Sequence, residues 1–137
     1  MQSFSALPVW RVARWIALLL LVSAYLQGGF EKLLGFPGAV AEMRHFGLQP
    51  ATPLAIATIL LELGASLLVL SGRLRWLGAI ALAAFTLAAT FLANAFWSSP
   101  SSERMMLENA FFEHLGLVGG FVIVAWIDLT ERRVPSA

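Results

Sequence analysis

Four apolar stretches, each long enough to cross a membrane, constrain this sequence more than any other feature. The membrane spans are predicted at about residues 10–30, 51–72, 76–97 and 107–127. One crossing needs about 20 apolar residues, so four crossings use most of the chain. We therefore expect an all-α fold, an integral membrane four-helix bundle in which residues 1–137 form a single domain.

The composition is that of a membrane protein and argues against nucleic acid as a partner. Hydrophobic residues make up 59% of the chain and charged residues 12%, against roughly 45–50% and about 25% in soluble domains. The formal net charge is +1, and no basic patch suggests nucleic acid as a partner. Cysteine is absent, which excludes disulfides and thiolate metal sites. The lipid bilayer is the expected surroundings of the chain.

The first apolar stretch follows two arginines and so has the outline of a signal peptide. Its end, "VSAYLQGG", has no clean small-residue cleavage pattern, and more spans follow. We assign it as the first membrane helix.

The distribution of basic residues predicts how the bundle is oriented. Six basic residues fall on one side of the membrane and three on the other, and the richer side is cytoplasmic. The six are Arg11, Arg14, Arg73, Arg75, Arg132 and Arg133, and the three are Lys32, Arg44 and Arg104. Both termini are therefore predicted to be cytoplasmic.

The only long connection, residues 31–50, is then on the periplasmic side. Within it Val40, Met43 and Phe46 recur at helical spacing. A short interfacial helix is predicted in this first outer loop.

One acid, Glu62, lies near the middle of the second span, in "TILLELGAS". An ionisable residue at the bilayer centre costs about 2.5–3.5 kcal/mol, so it usually faces the bundle interior and has a partner. Thr58 and Ser66 lie one turn to either side and place Glu62 in a polar stripe. Burial favours the neutral carboxyl and a nearby cation favours the charged one, so its charge state stays open.

The other spans also carry polar residues at four-residue steps. These are Ser23, Gln27 and Glu31, then Thr86, Thr90 and Asn94, then Asn109 and Glu113. If the stripes converge, they form a polar cavity that opens to the periplasmic side. Its candidate lining residues are Glu62, Gln27, Glu31, Lys32, Asn94, Asn109, Glu113 and His114. The alternative is that the uncharged groups only join helices, at about 0.6 kcal/mol per hydrogen bond, and that the acids are neutral carboxyls without function.

Lys32 is the nearest candidate cation for Glu62. It lies at the outer end of the first span, roughly 15 Å above mid-span at 1.5 Å per residue. Direct pairing is therefore not expected, and Glu31, Glu42 or Glu113 are better partners. The alternative is a lysine that only reaches the membrane surface.

Two further patterns concern packing and metals. Gly116 and Gly120 form a GxxxG motif in the last span, which we assign to packing inside the bundle rather than to dimerisation. Glu42 and His45 have the spacing of di-iron ligands, but no second copy of that motif exists. No metal or haem ligation is expected.

Four segments carry a family resemblance: "QGGFEKLLGF", "LELGASLLVLSGRLRWLGA", "NAFW" and "FFEHLGLVGGFVIVA". Over about residues 11–128 their order and spacing resemble the DoxX family of small bacterial and archaeal four-span membrane proteins. The family pattern falls on Gly28, Lys32, Glu62, Gly72, Arg75, Phe96 and Trp97. The sequence departs from it at Asn94, where members often have His, and at Glu113 and His114, where members often have Lys and Asn.

The resemblance implies a multi-pass protein of the bacterial inner (cytoplasmic) membrane. The family takes its name from a subunit associated with thiosulfate oxidation coupled to quinone, and relatives are linked to membrane oxidoreductase assemblies. One hypothesis is an accessory or quinone-associated subunit of a membrane redox system, with quinone as the ligand and no cofactor intrinsic to the chain. The alternative is a non-catalytic subunit that anchors a larger membrane assembly. Other membrane or redox proteins, or a homo-oligomer, are the partners that these hypotheses allow.

Overall fold

The computed structural model describes residues 8–135, which form five α-helices and one 3-10 helix and contain no strand. The α-helices are α1 (Pro8–Leu34), α2 (Phe36–His45), α3 (Ala51–Ser71), α4 (Arg75–Ala93) and α5 (Ser101–Arg133), and the 3-10 helix is Phe96–Ser98. Four of them, α1, α3, α4 and α5, are long and apolar enough to cross a membrane. The prediction of an all-α membrane fold with four spanning helices is confirmed.

The third membrane helix is shorter than its predicted span. Helix α4 ends at Ala93 instead of continuing to about Trp97. At this point the Asn94 side chain donates a hydrogen bond to Thr90 Oγ1 at 3.2 Å. The Asn94 backbone N–H still donates to the Thr90 carbonyl oxygen at 2.9 Å, and the chain then leaves the α-helix and continues as the short 3-10 helix.

Helices α3 and α4 form a hairpin joined by only three residues, 72–74. Gly72 takes the left-handed backbone conformation (φ 79°) that commonly ends a helix. Arg75 Nε donates to the Val69 carbonyl oxygen at 2.7 Å, which satisfies one acceptor left open at the end of α3. We call this end of the molecule the Arg75 end and the opposite one the α2 end.

The helices form two layers, α1–α2–α3 and α4–α5, which pack together in the half nearer the Arg75 end. Gly78 on α4 makes this contact close, because a Cβ there would lie 2.6 Å from the Ala65 carbonyl oxygen on α3. The shared core is apolar and includes Val22, Leu82 and Phe121, each 0% exposed.

Helix α2 occupies the loop in which a short helix was predicted. Its buried residues Ala39, Val40 and Met43 pack against Ala51 and Ala55 of α3. Its position at the membrane surface and the cytoplasmic location of the termini stay predictions.

Candidate functional site

Tyr25 forms the polar and aromatic link between the two layers that lies nearest the α2 end. Its hydroxyl hydrogen-bonds the Thr86 hydroxyl, which in turn donates to the Leu82 carbonyl oxygen at 2.7 Å. Its ring packs edge-on against Phe121, with ring centres 5.4 Å apart. Among residues 8–135, no hydrogen bond or aromatic contact joins the layers between Tyr25 and the α2 end. A cleft remains there.

This cleft is a cavity of about 420 Å³ with residues from all five α-helices in its wall. Its floor includes Tyr25 and Thr86. Most of the remaining lining is small or apolar. The other polar members of the wall are Lys32, Glu42, Thr58, Glu62 and His114.

A largely buried ion pair lies in the cavity wall. Lys32 Nζ is 3.2 Å from both carboxylate oxygens of Glu62. The exposed fractions of the two side chains are 17% for Lys32 and 7% for Glu62. The expectation that these residues do not pair directly was therefore wrong.

Two features of the helices bring the pair together. Gly29 packs so closely on α3 that a Cβ there would lie 2.6 Å from Leu63 Cδ2, which places Lys32 less than one turn above the level of Leu63. Side chains also lean toward the N-terminus of their own helix. Because α1 and α3 run in opposite directions, Lys32 and Glu62 lean toward each other.

Gly28 leaves room for the pair on the cavity side of α1. A Cβ at this position would lie 3.5 Å from Lys32 Nζ and 3.6 Å from Glu62 Oε2. These are ordinary contacts, so an alanine fits, but any larger side chain would extend into the space beside the charges.

Asn94 and His114 meet at the α4–α5 side of the cavity. The Asn94 amide nitrogen is 3.3 Å from His114 Nδ1, and the same ring nitrogen contacts the Ala110 carbonyl oxygen. His114 lines the cavity, and Asn94 is not among the lining residues. Of the predicted candidates, the structure thus brings Glu62, Lys32 and His114 to one cavity, and Asn94 contacts His114.

The other four candidates lie outside this lining. Gln27 and Glu31 are exposed on α1, where Gln27 Nε2 donates to Glu31 Oε1 at 2.6 Å. Asn109 and Glu113 are exposed on α5. The predicted polar stripes of α3 and α4 therefore contribute to this lining, through Thr58, Glu62 and Thr86, whereas those of α1 and α5 do not. Residues at four-residue steps share a helix face whichever way that face is turned. A ligand role for these residues stays a prediction.

The glycines of α5 differ from each other. A Cβ at Gly120 would lie 3.4 Å from Leu21 Cδ1 on α1, so this glycine packs inside the bundle. A Cβ at Gly116 would meet nothing within 4 Å. Within residues 8–135, only Gly120 of the GxxxG motif packs against another helix of the chain.

The sequence patterns did not single out Tyr25 or Asp128. Tyr25 is the only tyrosine of the chain and lies in an apolar span, where a hydroxyl needs a hydrogen-bond partner. Asp128 is 5% exposed. It lies just beyond the predicted end of the last span, so the polar stripes within the spans did not include it. Both were visible as isolated polar groups, but a single sequence does not identify their partners.

The pattern of the DoxX family matches residues 13–95, which are 83 of the 137 residues and include Gly28, Lys32 and Glu62. The chain belongs to the DoxX family. No curated protein and no solved structure matches it. In this DoxX protein the matched region contains the buried ion pair and ends before α5, so His114 lies outside it. The absence of intrinsic cofactors stays a prediction.

Proposed function

We propose that this DoxX protein is an accessory subunit of a membrane redox system and that its cavity binds the head group of a quinone. The observation that carries the proposal is the ion pair of Lys32 and Glu62, which lies in the wall of a mostly apolar cavity. A charged donor in apolar surroundings is the combination that holds a flat ring bearing carbonyl oxygens.

The pair leaves one donor available for a ligand. The Lys32 ammonium has three N–H groups, and the two oxygens of Glu62 account for two of them. The third can donate to a ligand carbonyl oxygen. Glu62 positions the ammonium and offsets the cost of its burial.

The size of the cavity supports a head group rather than a whole long-tailed quinone. Ligand pockets of drug-sized molecules span about 300–1,000 Å³, and about 420 Å³ lies near the lower bound. The isoprenoid tail would extend out of the cleft into lipid. Small side chains such as Ala88 and Ala89 on α4 leave space for the ring.

A bound quinone would carry electrons and protons between redox centres of other proteins. The chain has no cysteine and two histidines, so we expect partner proteins to supply the electrons. With the predicted orientation, the cavity opens to the periplasmic side of the inner membrane.

The proposal is tested by calorimetric titration of a short-tailed benzoquinone into purified protein in lipid nanodiscs. Lys32→Met removes a charged hydrogen bond worth about 1.5–3 kcal/mol, so the affinity should fall roughly 10- to 100-fold. Ala89→Phe fills the cavity from α4 while keeping both members of the ion pair, and it should also abolish binding. Glu31→Gln, an exposed carboxylate change one residue from Lys32, is the matched control and should bind as the wild type does. Wild-type protein that binds no quinone, or equal affinity in all variants, would contradict the proposal.

A second candidate function is that of a non-catalytic anchoring subunit. It is favoured by the exposed Asn109 and Glu113 on α5 and by the open space beside Gly116. Polar groups within a span usually face protein. Gentle solubilisation should then yield a partner in fixed stoichiometry that Glu113→Leu releases. Recovery of only a free monomer or homodimer would remove this candidate.

A further inference from the structure

An exposed stripe runs along α1 on the side opposite the core, and we call it the α1 stripe. Its members recur at alternating four- and three-residue steps: Ile16, Leu20, Ser23, Gln27, Phe30 and Leu34. The buried residues of the helix, Leu18, Val22, Tyr25 and Gly29, lie on the opposite face. The stripe is well exposed, with Leu20 68% and Leu34 86% accessible. Little of α1 is covered within its own chain.

Two polar residues interrupt the α1 stripe at the depth of the hydrocarbon. Gln27 lies thirteen residues beyond Arg14, or about 20 Å along a helix, inside a hydrocarbon core about 30 Å thick. Ser23 satisfies its hydroxyl by donating to the Leu20 carbonyl oxygen at 2.7 Å. The Gln27 side chain is not fully hydrogen-bonded within its own helix. Its single side-chain hydrogen bond within residues 8–135 goes to Glu31, which leaves one N–H and the amide oxygen facing outward.

We propose that the α1 stripe is the contact surface for a second copy of this chain. Two copies inserted in one membrane share the same orientation, so a two-fold axis along the membrane normal sets each residue of the stripe opposite its own counterpart. An amide suits that position, because its N–H can donate to the amide oxygen of the other copy and accept the reciprocal bond. Two such bonds use the groups that Gln27 leaves open.

The spacing of the stripe fits a partner helix, and the absence of charge on its six residues is compatible with a copy of itself. Alternating steps of three and four residues are the spacing of left-handed helix pairs crossing at about +20°, the commonest arrangement in membranes. The stripe itself carries no charge, so no oppositely charged partner is implied. Glu31 lies at its edge, where Gln27 of the same chain already binds it.

The exposed face of α5 is the alternative surface on which two copies could meet, and its side chains are less favourable for that contact. Like α1, α5 has only 17% of its membrane window buried. Glu113, which is exposed, lies seven residues before Gly120 and so on the face of α5 that meets α1 at Leu21. Carboxylates brought together in lipid repel each other or must both be neutral. The pairing of copies is therefore assigned to α1, independently of any ligand in the cavity.

The absence of cysteine allows a direct test by single-cysteine cross-linking of purified protein in liposomes. Leu20→Cys on the stripe is compared with Ile123→Cys on α5 and Leu67→Cys on α3, whose wild-type residues are similarly exposed at 68%, 54% and 60%. Leu20 and Ile123 lie within about one helical turn of each other in depth, because Leu21 contacts Gly120. Leu67 lies about 8 Å nearer the α2 end than Leu20, since Gly29 is level with Leu63, and it controls for exposure only. Cross-linked dimers are expected for Leu20→Cys, with little product from the two controls. Equal products at the three positions, or no dimer at all, would overturn the proposal.

A second measurement tests the amide contact. Energy transfer between labelled copies, followed on dilution with lipid, gives the association constant. Gln27→Leu removes two interhelical hydrogen bonds and should lower that constant about three- to ten-fold, whereas Gln27→Asn should retain most of it. An association constant unchanged by Gln27→Leu would exclude Gln27 from the interface.

Discussion

The carboxylate of Asp128 on α5 caps the beginning of α4, accepting a hydrogen bond from the Trp76 backbone N–H at 3.0 Å. The same oxygen, Oδ2, accepts a bond from Arg132 Nε at 2.9 Å. Arg132 also donates to the Gly72 carbonyl oxygen at 2.8 Å. One buried acid therefore connects α5 to the α3–α4 turn, at a helix N-terminus where negative charge is favourable.

Asp128→Ala should lower the free energy of unfolding by about 1.5–3 kcal/mol, because it removes a charged hydrogen bond and an N-cap. Asp128→Asn keeps an acceptor and should cost less. Glu131→Gln is the control, since its ion pair with Arg14 is about half exposed and should contribute at most about 1 kcal/mol. Reversible unfolding in mixed detergent micelles measures all three. A loss for Glu131→Gln as large as that for Asp128→Ala would contradict the assignment.

The ion pair of Lys32 and Glu62 should show strong coupling between its members. Lys32→Met alone leaves a carboxyl in an apolar wall without its partner, at a cost of up to about 3–5 kcal/mol. Replacing both residues by methionine should recover most of that loss. A double-mutant cycle of unfolding free energies gives the coupling energy. Additive losses would mean that the two residues act separately.

Substitution by alanine should lower the stability of the protein at a glycine in a helix contact and raise it at an exposed glycine. Gly78→Ala would place a Cβ 2.6 Å from the Ala65 carbonyl oxygen, so α3 and α4 must separate and about 1–3 kcal/mol of stability should be lost. At Gly64 a Cβ meets nothing within 4 Å, and Gly64→Ala should raise stability by about 0.5–1 kcal/mol through helix propensity. The two unfolding midpoints are compared under the same detergent conditions. A stabilised Gly78→Ala variant would show that the helix contact is looser than described.

The orientation can be read with an impermeant maleimide on intact bacterial cells that express single-cysteine variants. Gln49→Cys, between α2 and α3, should react from outside, because the α2 end is predicted to be periplasmic. Ser71→Cys, at the Arg75 end of α3, should react only after permeabilisation. The reverse pattern would place both termini in the periplasm.

The four membrane helices were predictable because hydropathy reports burial in lipid directly. The same information does not fix how far one helix is displaced along another. Counting residues from the predicted span ends put Lys32 too far from Glu62, whereas the contact of Gly29 with Leu63 sets the true offset. That contact depends on the absence of a side chain, which hydropathy does not register.

The direction in which a polar stripe faces could not be predicted from the sequence either. Ser23, Gln27 and Glu31 share a face, as their spacing requires, but that face points away from the core. The stripe containing Glu62 points inward, and Glu62 is 5% exposed. Spacing gives the members of a face, and only packing against neighbouring helices gives its direction.

The three-residue turn at Gly72 has a consequence for how the protein enters the membrane. Four Cα–Cα steps separate Ser71 from Arg75, so the facing ends of α3 and α4 lie at most about 14 Å apart once both helices have left the ribosome. We expect the two helices to pair in the membrane as a single hairpin, with Arg73 and Arg75 held at the membrane surface by their charge. Force measurements on nascent chains stalled at successive lengths should record one pulling event for this pair of helices, and separate events for α1 and α5.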